Sequence, residues 1–121
     1  MHHIRYNDIG WHVPTSTRDE LDLADEPPVD EPGRKFLVDG EAGFYMQAVR
    51  IPPNFDAPAH HHDRAELFMV VEGACTFNGE PMVPFDVTVV EPGESYGFIA
   101  GSEGVTFLVT RHDIATFVEE S

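Results

Sequence analysis

Basic residues and cysteine are scarce in this chain. Against 22 Asp and Glu stand 7 Lys and Arg, a formal net charge of -15 over 121 residues. A surface of that sign repels phosphate backbones, which excludes nucleic-acid binding through a basic patch and disfavours anionic membranes. The single cysteine, Cys75, forms no internal disulfide and builds no thiolate zinc site. A reducing, cytoplasmic setting is the expectation. Long apolar runs are missing too: none approaches the roughly 20 residues of a membrane span, and no signal peptide is expected at the start. Helical periodicity is confined to Asp113–Glu120, where Asp113 reads as the cap of a short helix carrying Ile114, Phe117 and Val118 on one side. The sequence also lacks a nucleophile elbow and a phosphate-cradling Gly loop. Gly101-Ser102-Glu103-Gly104 reads as a hairpin turn.

What is present is apolar mass for one core. Hydrophobic residues make up 41% of the chain, with 9 Phe, so one globular domain is expected. Residues 1–34 read as an extended N-terminal segment, and 35–121 as a barrel domain with a short tail. Within the segment, Ile4, Tyr6, Ile9, Trp11 and Val13 are expected to dock residues 1–14 on the body. The acids from Asp19 to Glu31, interrupted by Pro27-Pro28, read as solvated, extended chain. From Lys35 the pattern becomes short β-type runs between turn signals. The runs are Lys35–Val38, Phe44–Ile51, Glu66–Glu72, Ala74–Asn78, Met82–Val83, Val87–Glu91, Ser95–Ala100 and Val105–Arg111. Asn78-Gly79 is a strong hairpin signal, because a type I′ turn needs positive φ at both central residues. The fold class is all-β, a closed or double-sheet barrel.

The chemistry concentrates at His60-His61-His62-Asp63-Arg64-Ala65-Glu66. On extended backbone His60 and His62 project together and His61 points away. Glu66 shares their parity across a bend at Asp63-Arg64. Two imidazoles and a carboxylate suit a divalent metal, Fe(II) first and Mn, Zn, Ni or Co as alternatives, with coordination positions left for substrate. If Glu66 points inward, so do Phe68 and Val70, while Leu67, Met69 and Val71 face outward. Tyr96 and Phe98 share one parity, and Phe107 is a candidate to close the same pocket. On the strand before, either Gln47 or Arg50 enters the barrel, so both are candidate substrate-pocket residues, with Phe68 and Phe98.

The spacing His60-x-His62-x-x-x-Glu66-x6-Gly73 resembles the first motif of the cupin superfamily, G-x5-H-x-H-x(3,4)-E-x6-G, with Asn54 in place of the opening glycine. The second motif, G-x5-P-x-G-x-x-H-x3-N, is matched loosely over Phe85–Ala100. Gly93 is kept, the proline is displaced to Pro92, and Tyr96 replaces the histidine. The resemblance covers residues 35–111 and implies a jelly-roll barrel with a metal inside, and a homodimer. Its implied activity is a small-molecule enzyme at a metal held by His60, His62 and Glu66. A dioxygenase and a redox-neutral isomerase, lyase or cyclase would share that ligand set. The alternative is a non-catalytic ligand- or metal-binding cupin acting as a sensor or accessory protein. Tyr96 has three readings: a proton-handling hydrogen-bond donor, ranked first and making it the candidate catalytic residue; a metal ligand; or a space-filling wall residue.

Overall fold

A computed structural model describes residues 1–12 and 30–112, together with the backbone of residues 117–119. Among the described residues eight strands follow one another: β1 (Gly33–Asp39), β2 (Tyr45–Ile51), β3 (Asp56–His62), β4 (Glu66–Phe77), β5 (Glu80–Met82), β6 (Val87–Val90), β7 (Tyr96–Arg111) and β8 (Phe117–Glu119). All their pairings are antiparallel. The architecture is an all-β barrel, and two long strands organise it. β4 and β7 pair along almost their whole lengths, from Glu66↔Arg111 to Phe77↔Phe98. The C-terminal half of β7 continues the sheet to β2 and β1. Its N-terminal half pairs instead with β3, which pairs on with β8. On the other side of the ribbon β4 carries β6 along its first half and β5 along its second. The long pair thus belongs to two half-sheets whose inner faces enclose the core.

The bend that divides the halves explains one departure from the expected strands. Glu66–Glu72 and Ala74–Asn78 form a single strand, and so do Ser95–Ala100 and Val105–Arg111. Gly101–Gly104 is therefore no hairpin turn but part of β7. The chain bends there through register shifts between Val70 and Glu72 and between Gly73 and Cys75. Glycine is needed because Gly73 has φ +74°, and a Cβ on it would collide with the Gly104 carbonyl. The Asn78-Gly79 turn does close the β4–β5 hairpin, with φ of 48° and 81° at its two centres.

Two further departures lie beside the His run. β3 carries too little hydrophobic alternation to announce itself, and Pro58 sits where its ladder with β7 shifts register. A proline has no N–H to give and is tolerated at such an irregularity. The expected C-terminal helix is replaced over Phe117–Glu119 by β8, paired with His60–His62. So short a helix is marginal on its own, and an open strand edge offers its backbone better partners. Asp113 and Ile114 lie outside the described residues, as do Val13 and the acids from Asp19 to Glu26.

The core is aromatic. Phe68, Phe77, Phe98, Phe107 and Tyr96 are buried, with ring centroids 5.1 Å apart for Phe77 and Tyr96 and 5.2 Å for Phe98 and Phe107. Strand parity decides what enters: Phe68 and Val70 are buried, while Leu67 is exposed. The outer face of β1 and β2 carries Lys35 and Arg50. The Lys35 ammonium lies 3.8 Å from the centre of the Tyr6 ring and 4.8 Å from that of Trp11, and it donates to the Tyr6 carbonyl. These cation–π contacts dock the described N-terminal residues on the outside of the barrel. Val87, Val89 and Phe85 remain exposed.

Gly73→Ala tests the bend. With positive φ and a backbone collision together, the substitution is expected to cost about 2 kcal/mol or more in denaturant unfolding. A change within about 0.5 kcal/mol would show that the bend does not depend on this glycine.

Candidate functional site

One end of the barrel is polar. His60 and His62 reach it from β3 and Tyr96 from the start of β7, both in one half-sheet. Glu66 comes from the start of β4, Gln47 from β2 and Arg111 from the end of β7, in the other. The turn at Glu91-Pro92-Gly93 ties the two motif segments together, since the Gly93 N–H donates to the His62 carbonyl at 2.9 Å.

Glu66 is the centre of the cluster and is 2% exposed. A carboxylate removed from water costs several kcal/mol unless its charge and lone pairs are satisfied. Arg111 does this with a fork: its Nε and Nη2 donate to Oε2 at 2.9 and 2.6 Å. The two residues are direct cross-strand partners in the β4–β7 ladder, so the backbone register sets the pair. With its amide turned so that the oxygen faces the guanidinium, Gln47 accepts from Arg111 Nη1 and Nη2 at 3.0 and 3.1 Å. The second carboxylate oxygen, Oε1, turns the other way. It accepts the Tyr96 hydroxyl at 3.2 Å and stands 3.3 Å from His62 Nε2.

The imidazoles are oriented as well. His60 Nδ1 lies 2.9 Å from the Pro58 carbonyl oxygen. A carbonyl only accepts, so the proton sits on Nδ1 and the ring's lone pair on Nε2. The His60 and His62 rings meet edge to face with centroids 5.2 Å apart, and His60 lies 4.4 Å from the Tyr96 ring. Burial first, and the Glu66 charge second, push the Tyr96 phenol well above its ordinary range, with Arg111 opposing in part. Tyr96 therefore keeps its proton across the physiological range. Arg34, on the inner face of β1, is lowered to about 10 by burial and then by the Arg111 charge. A cavity of about 40 Å³ adjoins Gln47 and Arg111 between β1, β2 and β7.

The structure thus brings together His60, His62, Glu66 and Tyr96, and puts Gln47 beside them. Phe68 and Phe98 form apolar wall behind the polar end. Arg50 is placed differently from its candidate role: with Gln47 inward, period-two alternation sends Arg50 to the outer face, where its guanidinium lies 4.6 Å from the Trp11 ring. Arg111 is the residue that sequence reasoning missed. Two signals pointed to it: it ends the last long strand at the parity of Phe107, and a buried acid needs a cation.

Does this donor set fit a divalent metal? Two ligands at about 2.1 Å from one ion, at right angles, stand about 3 Å apart. His62 Nε2 and Glu66 Oε1 are close to that separation at 3.3 Å. The residue types are those of a metal site, but Oε1 already accepts the Tyr96 hydroxyl and Oε2 the Arg111 fork. As the side chains stand, no three His, Cys, Asp or Glu among the described residues enclose a point suited to a metal ion.

An antiparallel barrel with a polar cluster inside one end is a jelly-roll scaffold. The cupin domain model matches residues 47–111, and the chain belongs to the cupin family. No curated protein matches. Among solved structures, the polyketide cyclase RemF from Streptomyces resistomycificus superimposes with a TM-score of 0.76 at 20% identity, over 100% of this chain and 86% of that one. KdgF from a Halomonas species gives 0.68 at 15% identity over 94% and 96%. A sugar phosphate isomerase from Silicibacter pomeroyi gives 0.65 at 22% identity over 99% and 82%. At these identities the likeness is one of fold. No helix among the described residues is long and apolar enough to cross a membrane.

The Tyr96 environment has a pH signature. A phenol whose folded value is raised above the ordinary 10.0 stabilises the fold below pH 10, and that contribution is lost as pH rises. Burial also raises the Cys75 thiol from 9.0 to about 11, so the comparison belongs in a Cys75→Ala background. There, unfolding free energy is expected to fall as pH passes 10, and less steeply in the Tyr96→Phe variant. Equal slopes in the two proteins would contradict the burial of the phenol.

Proposed function

We propose that the chain is an enzyme that moves protons on a small oxygen-bearing organic molecule, as an isomerase, lyase or cyclase, at the cluster of His60, His62, Glu66 and Tyr96. The observation that carries this reading is the hydrogen bond from Tyr96 to Glu66 Oε1, a proton donor beside a charged acceptor inside an apolar barrel. It favours redox-neutral proton transfer over a dioxygenase. A phenol that holds its proton donates to a substrate oxygen as negative charge develops there, and Glu66 and the imidazoles are placed to accept a proton. The aromatic wall of Phe68, Phe77 and Phe98 excludes water from the reacting group. A divalent cation, Fe(II) first and Mn, Zn, Ni or Co after it, would be held by His60, His62 and Glu66 and would supply polarisation of the substrate oxygen. Proteins of this fold include a cyclase and an isomerase, so the barrel accommodates such chemistry.

A second reading is a non-catalytic ligand- or metal-binding cupin, a sensor or accessory protein. It is favoured by the engagement of both Glu66 oxygens, a state a purely binding protein would also hold.

Proton exchange tests the first reading without a known substrate. Wild-type protein in D₂O is expected to exchange the α-protons of β-dicarbonyl or hydroxyketone compounds, followed by NMR. Tyr96→Phe and His60→Ala are each expected to slow exchange by about 10² or more. A protein that purifies without stoichiometric metal, and whose His60→Ala variant differs in no measured property, would sink the enzyme and metal readings together.

A further inference from the structure

A second polar recess lies away from the His cluster, beside the β4–β7 bend. Arg50, Thr106 and Glu72 form a row there, because Arg50 and Glu72 each pair with Thr106, from opposite flanks of β7. Residues in one such row share a face. Parity alone would turn Glu72 inward with Phe68 and Val70. The register shift between Val70 and Glu72 reverses that, and Glu72 is exposed on the side of Arg50. A cavity of about 190 Å³ adjoins the row, lined also by Glu103 and by Pro52 and Pro53. Thr106 precedes Arg111 by 5 residues on β7. On extended backbone that is about 17 Å, so the recess is separate from the barrel mouth.

Arg50 is held in place there but not satisfied. Its guanidinium lies 4.6 Å from the centre of the Trp11 ring, and its Nε and Nη2 are shut off from solvent with no hydrogen-bond acceptor. Contact with an aromatic face leaves the in-plane N–H groups still in need of acceptors. A carboxylate answers a guanidinium best, two oxygens against two N–H groups. A bare anion is nevertheless a poor occupant, because Glu72 and Glu103 line the same cavity and the chain carries a net charge of -15. A bare cation would suit the two acids and leave Arg50 as it is. Pro52 and Pro53 have no N–H, so that side of the cavity adds backbone acceptors only. The opposite charges reach a common neighbour. The Tyr6 phenol is raised by burial first and by the Glu72 charge second, with Arg50 opposing. Two strand spacings put Arg50 and Glu72 about 10 Å apart at the backbone, close enough for one small ligand to meet both side chains.

We propose that this recess binds a zwitterion of the α-amino-acid class, with its carboxylate on Arg50 and its ammonium on the side of Glu72 and Glu103. The site uses none of His60, His62, Glu66 and Tyr96, so it goes beyond the proton-transfer reading and is tested apart from it. The competing view is that Arg50 only clamps Trp11 and the N-terminal residues to the barrel.

The probes are the free standard L-amino acids, screened at about 10 mM by thermal unfolding of the full chain, with calorimetry on those that raise Tm. Trp11 is the only tryptophan, so its emission reports occupancy beside Arg50. At least one amino acid is expected to bind and to change that emission. Its N-acetyl derivative lacks the ammonium and its amide lacks the carboxylate, and each is expected to bind about 10-fold or more weakly. Glu72→Gln alters an exposed side chain and is expected to fold. It should weaken the free amino acid about 10-fold and narrow the gap to the N-acetyl form. Arg50→Gln should narrow the gap to the amide; should it fail to fold, Glu72→Gln and the two derivatives still decide. His60→Ala is expected to bind with wild-type affinity. No amino acid binding at about 10 mM, equal affinity for the free acid and both derivatives, or unchanged affinity in Glu72→Gln would each overturn the proposal and leave Arg50 as a clamp.

Discussion

A carboxylate buried at the mouth of an apolar barrel is the constraint on which the rest of this structure turns. Glu66 stands at the start of β4 with its side chain out of water. An ion in that position is tolerated only with a counter-charge and full hydrogen bonding. The chain has few cations to give, 7 Lys and Arg in all. It places one of them, Arg111, directly across the β4–β7 ladder. The pair therefore depends on register, and register depends on the bend that Gly73 and Gly104 allow. A slip of one residue would turn Glu66 outward and leave Arg111 without its partner.

The same geometry turns a structural necessity into a chemical arrangement. Once Arg111 has taken Oε2, the other oxygen faces Tyr96 and His62, and the neighbouring half-sheet supplies His60. The long strands matter here because they run through both halves: β7 begins at Tyr96 and ends at Arg111, so one strand delivers a proton donor and a counter-ion to opposite sides of one carboxylate. The His60 tautomer is set by a carbonyl on its own strand, at Pro58, where the ladder is already irregular. The loop at Gly93 pins the second motif segment onto the first.

Much of the fold was legible in the sequence because strand parity is a local property. Glu66, Phe68 and Val70 alternate with Leu67, Met69 and Val71, and the pattern of faces follows without knowledge of the partners. Asn78-Gly79 named its own turn. The continuity of β4 and β7 was not legible, because Gly73 and Gly101–Gly104 look like turn signals when each is read alone. Only their contact across the ladder makes them a bend. β3 was hidden by polarity, since a strand whose inward residues are His60 and His62 lacks the apolar alternation by which strands are recognised. The C-terminal strand was hidden by its dependence on a partner edge. Within the site, the spacing of His60, His62 and Glu66 was plain, whereas Arg111 lies 45 residues from Glu66 and meets it only through long-range pairing. Gln47 and Arg50 were indistinguishable until the face of β2 was known.

The most direct measurement is a double-mutant cycle on stability with Glu66→Gln, Arg111→Met and the double variant. The account predicts that each single variant costs about 3 kcal/mol or more, and that the double variant recovers most of that loss, giving a large favourable coupling. A coupling below about 0.5 kcal/mol, the level of an exposed surface pair, would contradict the claim that this buried ion pair organises the barrel mouth.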